Sequence, residues 1–85
     1  MALDILYFAW VREKIGLAGE RVDPPAEIAT IGALIDWLAT RSPAHAEALA
    51  DRGRLRAAVD QRFATSADSI AGASEVAIFP PVTGG

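Results

Sequence analysis

The chain reads as an α+β domain, a small mixed sheet with one main helix packed across one face. Two observations carry this. First, Leu3 to Trp10 and Glu75 to Phe79, near the two ends, are apolar and β-prone. Second, Ile31, Leu34, Ile35 and Leu38 recur at i, i+3, i+4 and i+7, the single stripe of an amphipathic helix. With 85 residues, only one small core is affordable. Of the 52% that is apolar, 18 residues are Ala, leaving 26 larger side chains, so modest stability is expected.

Leu3 to Trp10 is too short for a buried helix and suggests a central strand contacted on both faces. Val11 to Ile15 resembles a short helical turn closed by Gly16, and Glu20 to Asp23 alternates as an outer strand stopped by Pro24-Pro25. Thr30 is placed to cap the main helix, which should end near Arg41-Ser42-Pro43. A short Ala-rich helix is expected from Pro43 to Asp51, ending at Gly53. Leu55, Ala57 and Val59 then alternate with Arg54, Arg56 and Ala58, a half-buried strand with a basic outer face. Asp60-Gln61 turns the chain into Phe63-Ala64, and Thr65 to Ser74 is a loop pinned by Ile70. Glu75 to Phe79 is the last strand, best placed beside the first in the sheet centre.

The last six residues, Pro80-Pro81-Val82-Thr83-Gly84-Gly85, form an expected tail (80–85) beyond a folded domain (1–79). Pro80 and Pro81 fix φ and lack an N–H, so they end the strand and hold the chain extended. Val82 and Thr83 favour extended backbone, while Gly84 and Gly85 lack Cβ and pass through a channel too narrow for side chains. A free carboxylate at Gly85 would lie ~20 Å beyond the last strand, within reach of a partner's active site.

Other features narrow the functional classes. With no Cys there is no disulfide, thiolate metal site or thiol nucleophile, and a reducing cytoplasm is expected. Met1 to Asp4 lacks the basic region of a signal peptide, and no apolar run approaches membrane-spanning length. A net charge of −3 argues against nucleic acid as a partner. His45, the only His, has no second ligand nearby in sequence and is expected at a solvated helix position. Arg52, Arg54, Arg56 and Arg62 form either a solvated strand face or a patch that steers acidic partners. Trp10 is open to core or interface, and Trp37 should pack at the edge of the helix stripe.

Leu6-Tyr7-Phe8-Ala9 with Val11-Arg12-Glu13, Ala57-Ala58-Val59-Asp60, and Glu75 through Gly85 resemble the small, sulfur-carrying subunits of molybdopterin synthase over essentially the whole chain. The resemblance implies a ubiquitin-like β-grasp fold. It departs at Asp60, where the family usually has Asn, and at Ala73-Ser74-Glu75, where it has Gly-Asp-Glu. It further implies that an ATP-using activating enzyme adenylates Gly85, that the acyl-adenylate becomes a thiocarboxylate, and that the tail donates sulfur to a cyclic pyranopterin phosphate. The receiving site would lie in a large catalytic subunit, within a heterotetramer, and this chain would be a cosubstrate that binds no cofactor or metal itself. Phe8, Phe63 and Phe79 match the family's partner contacts, expected one on each of three strands. A sulfur carrier for thiamine or cysteine synthesis, a protein modifier and a binding module with an inert tail are the other readings.

Overall fold

The computed structural model describes residues 2–81. Its five strands are β1 (Leu3–Tyr7), β2 (Gly19–Val22), β3 (Arg56–Val59), β4 (Arg62–Ala64) and β5 (Glu75–Phe79). The helices are α1 (Ala9–Ile15), α2 (Ile31–Ala39) and α3 (Pro43–Ala48), with a 3₁₀ turn at Arg52–Arg54. The strands lie in the order β2-β1-β5-β3-β4, with β1 and β5 parallel at the centre and every other pair antiparallel. This is the β-grasp arrangement. It places two apolar segments side by side in the interior of the sheet, since only an interior strand hides both its edges.

Ile5, Tyr7, Val76 and Ile78 point to one side of the sheet, where Ile31, Leu34 and Leu38 of α2 close over them. Burial of such side chains contributes roughly 1.5–3 kcal/mol each. The Thr30 hydroxyl accepts from the Ala33 N–H at 3.2 Å, so α2 starts where the capping residue stands. Its last helical residue is Ala39, and Thr40 closes it.

Three expectations need correction. The first strand stops at Tyr7, because Ala9 takes a left-handed φ of 53° and turns the chain into α1. Phe8 to Trp10 therefore leave the sheet, and the short turn expected over Val11 to Ile15 is a two-turn helix closed by Gly16 at φ 86°. Moreover, β1 is buried on one side only: Asp4 and Leu6 are half-buried on the other. Lastly, α3 ends at Ala48, and Arg54 belongs to the 3₁₀ turn, not to β3.

His45 is the largest departure from expectation. It is only 6% exposed, and its Nε2 lies 2.6 Å from Oε2 of Glu20 on β2. The Tyr7 hydroxyl donates to the same oxygen at 2.7 Å, the Arg41 guanidinium approaches Oε1 at 3.3 Å, and Ser42 Oγ sits 2.7 Å from His45 Nδ1. One carboxylate thus ties β1, β2 and α3 together. Burial opposes its ionisation, but the hydrogen bonds from His45 and Tyr7 and the Arg41 charge outweigh that and hold it below the ordinary value of 4.5. Burial first, and the Glu20 carboxylate second, push the Tyr7 hydroxyl far above its ordinary range.

The Asp60-Gln61 turn joins β3 to β4 with both residues at left-handed φ, 47° and 71°. Asn is favoured in such turns and Asp shares its short acceptor side chain, so this departure from the family pattern preserves the geometry. Asp60 Oδ1 accepts from both the Ser74 and Glu75 N–H groups at 3.0 Å, fastening the hairpin to the start of β5.

Two predictions follow from these ties. Asp60→Asn should leave urea unfolding nearly unchanged, whereas Asp60→Ala should lose roughly 1–2 kcal/mol through two orphaned N–H groups and a strained φ. Equal losses in both would show that the side-chain acceptor is irrelevant. Because the folded-state pKa of Glu20 is depressed, its contribution is present above pH 4.5 and lost as pH falls through the lower folded value. Glu20→Gln should cost about 1–3 kcal/mol at neutral pH and flatten the acid decline. An unaltered acid slope would remove Glu20 from this role.

Candidate functional site

In register, the sheet face turned away from α2 carries the row Gly19, Leu6, Ala77, Ala58 and Phe63, from one edge to the other. Phe79 and its cross-strand neighbour Arg56 lie on the same face one step nearer the end where β5 finishes. Gly and Ala make the row low in relief. At Gly19 this is required, because a Cβ there would stand 2.7 Å from the Ile5 carbonyl oxygen. Among the described residues no helix covers this side, since the α2 stripe is spent on the core face.

The three phenylalanines lie as follows. Phe63, on β4, is 84% exposed, and its ring centre is 6.1 Å from that of half-buried Phe79 on β5. Phe8 is 46% exposed and is not on a strand: it is the residue before α1, with its N–H donating to the Ile78 carbonyl at 3.2 Å. That bond sets Phe8 beside the end of β5, so an aromatic flanks the place where the chain departs. Pro80 and Pro81 follow directly and are half-buried. Val82, Thr83, Gly84 and Gly85 lie outside the described residues.

The basic residues divide. Arg52 is paired with Asp36 on α2, leaving the patch expected for it, and Arg62 stands at the far end of the β3–β4 hairpin. Arg54 lies over the Trp10 ring at 5.1 Å, and Arg56 is held by the Gly53 and Leu55 carbonyls at 3.2 and 2.8 Å. Trp37 is half-buried beside the core with the Arg41 guanidinium 5.3 Å above it. The sequence reading placed Ala58 on the outer face of its strand but missed Leu6 and Ala77 as parts of the open face; strict alternation along β1 and β5 carries that signal. It also missed the Trp10–Arg54 pair, which no local pattern announces.

Among the described residues, no group of three or more His, Asp or Glu side chains is disposed to hold a metal ion, and no helix is long and apolar enough to cross a membrane. An apolar recess of about 340 Å3, lined by Leu3, Pro25, Ile28 and Ile70 among others, lies at the end of the sheet opposite the tail. Among the described residues the arrangement is therefore an uncovered sheet face that meets the end of β5.

Comparison with known proteins places the chain in a family. The chain is 41% identical over 83 residues to the molybdopterin synthase sulfur carrier subunit of Escherichia coli (strain K12), covering 98% of this chain and 99% of that protein. It is 35% identical to the protein of the same name from Haemophilus influenzae, again over 83 residues and with the same coverage. Among solved structures, SAMP1 from Haloferax volcanii superposes with a TM-score of 0.74 at 29% identity, with both chains fully covered at 100%. The family model described as the ThiS family matches residues 5–85, nearly the entire sequence, and the chain belongs to that family.

Proposed function

We propose that this chain is a sulfur carrier for molybdopterin synthesis, in which Gly85 is the reacting residue. The observation that carries the reading is the continuity of an uncovered apolar face with the root of a tail ending in Gly84-Gly85. The names of the two bacterial relatives supply the pathway.

A terminal carboxylate is a poor electrophile, because its oxygen is a poor leaving group. An activating enzyme using ATP would join the Gly85 carboxylate to AMP and release pyrophosphate. Attack by a donor delivering sulfur at the sulfide level on the acyl carbon would then form the C–S bond, expel AMP and leave a thiocarboxylate. In the second encounter, inside the large synthase subunit of a heterotetramer, the sulfur bonds to a cyclic pyranopterin phosphate, and water cleaves the acyl carbon–sulfur bond, leaving the sulfur on the pterin and returning Gly85 to carboxylate. The absence of side chains at Gly84 and Gly85 leaves the carbonyl open to attack and lets the tail enter a narrow channel. Pro80, Pro81, Val82 and Thr83 keep it extended. Phe8, Phe63 and Phe79 would anchor both partners, and the chain itself acts as cosubstrate in the cytoplasm.

A second reading is protein modification, with the Gly85 carboxyl joined to a lysine. The structural likeness to SAMP1, described elsewhere as small archaeal modifier protein 1, favours it.

Intact-mass measurement on the chain recovered from its host separates the two. A carrier shows a fraction with one oxygen replaced by sulfur, and a modifier shows conjugates to larger proteins. Deleting Gly85 should abolish sulfur loading while circular dichroism and thermal unfolding stay as in the parent; retained loading would refute the assignment. Phe63→Ala and Phe8→Ala should shift stability by about 0.5 kcal/mol or less, as exposed positions do, yet weaken association with the large subunit by ~2 kcal/mol. Unchanged affinity with intact fold would remove these residues from the interface.

A further inference from the structure

The side of the domain where the tail departs is basic, although the chain as a whole carries a net charge of −3. Arg56 is the cross-strand neighbour of Phe79, the last residue of β5. Its Nη1 donates to the Gly53 and Leu55 carbonyls at 3.2 and 2.8 Å, which fixes the guanidinium and leaves its other N–H groups undirected. Beside it, Arg54 lies 5.1 Å and Lys14 5.9 Å from the Trp10 ring centre, so one indole of α1 orders two cations. Trp10 itself is half-buried against the core and cannot swing away without losing that packing.

Ion pairing divides the cations of the chain into two groups. Arg21, Arg41 and Arg52 each have a carboxylate within ion-pair distance, and Lys14 shares Glu47 at 3.8 Å. Among the described residues, no carboxylate lies within that distance of Arg12, Arg54, Arg56 or Arg62, and of these Arg56 is the cross-strand neighbour of Phe79, with Arg54 two residues before it. At the opposite end Asp4, ion-paired with Arg21, stands in register with Glu75, whose N–H donates to Asp60. Two of these guanidiniums, Arg54 and Arg56, thus stand without a carboxylate near the root of the tail.

We infer that Trp10, Arg54 and Arg56 form a docking surface for an acidic protein surface beside the mouth of the channel that receives the tail. The inference rests on the carrier reading above, which supplies such a channel. Two ordered guanidiniums next to an aromatic are suited to carboxylates, because a planar fork accepts a carboxylate in two parallel hydrogen bonds and loses little freedom in doing so. A net negative domain with so few cations is ill suited to the phosphates of nucleic acid, whose binding requires a positive surplus. Charges at the rim of an interface act chiefly on encounter, so the effect should be read in the association rate and its dependence on salt.

The test uses the full-length chain and the large synthase subunit of its host, mixed in stopped flow at low and high salt. Arg54→Gln with Arg56→Gln should slow association roughly tenfold at low salt, and the difference should vanish at high salt. Arg21→Gln with Arg62→Gln, which removes two charges from elsewhere, should leave the rate close to that of the parent. Arg54→Lys with Arg56→Lys should keep most of the salt dependence, because the charges remain; thermal unfolding run beside each variant ensures that folded chains are compared. A parent and Gln pair with the same rate and salt dependence would overturn the inference and leave the carrier reading standing. Failure of the parent to bind the large subunit would overturn both. If the Gln pair instead lost binding only to duplex DNA or to anionic vesicles, with subunit kinetics unchanged, the acidic-protein assignment would be wrong.

Discussion

Parallel pairing of β1 with β5 is the constraint on which the rest of the molecule depends. It brings together segments from the two ends of the chain, with Ile5 beside Val76 and Tyr7 beside Ile78. Everything between them must then leave one end of the sheet and return at the other, which demands a crossover, and α2 provides it by packing Ile31, Leu34 and Leu38 over the joined strands. The same pairing fixes where β5 ends. The tail therefore starts from the centre of the sheet, beside Phe8, and not from a loosely held edge.

Side-chain parity turns this scaffold into a two-sided object. Odd-numbered residues of β1 and even-numbered residues of β5 fill the core, so Leu6, Ala77 and Phe79 must lie on the other face. Small side chains at Gly19, Ala58 and Ala77 keep that face flat, and aromatic ones at Phe63 and Phe79 mark its margin. A flat apolar surface with an aromatic rim suits a partner that must dock broadly while a narrow terminus reaches past it.

The polar ties do separate work. Glu20 stitches β1, β2 and α3 from the side, and Asp60 binds the β3–β4 hairpin to the start of β5. Each uses a single carboxylate to satisfy donors from different elements, which is economical in a domain whose core has few large side chains. Trp10 and Arg54 join α1 to the 3₁₀ turn by a third route, a cation on an aromatic face.

The sequence by itself determined the central strands, the α2 stripe with its Thr30 cap, the Asp60-Gln61 turn and the strand from Glu75 to Phe79, because each is written in neighbouring residues through period or propensity. Only the tertiary structure decided the rest. His45 looked solvated because its neighbours in sequence are polar or small, yet the Glu20 carboxylate that makes its burial tolerable comes from a position 25 residues away. Phe8 looked like strand because its neighbours are apolar, and the left-handed turn at Ala9 became visible only with the backbone. The basic row split for the same reason. Whether an arginine finds Asp36, an indole or no carboxylate at all depends on elements brought together by folding, and charge pairing across the fold has no local signature.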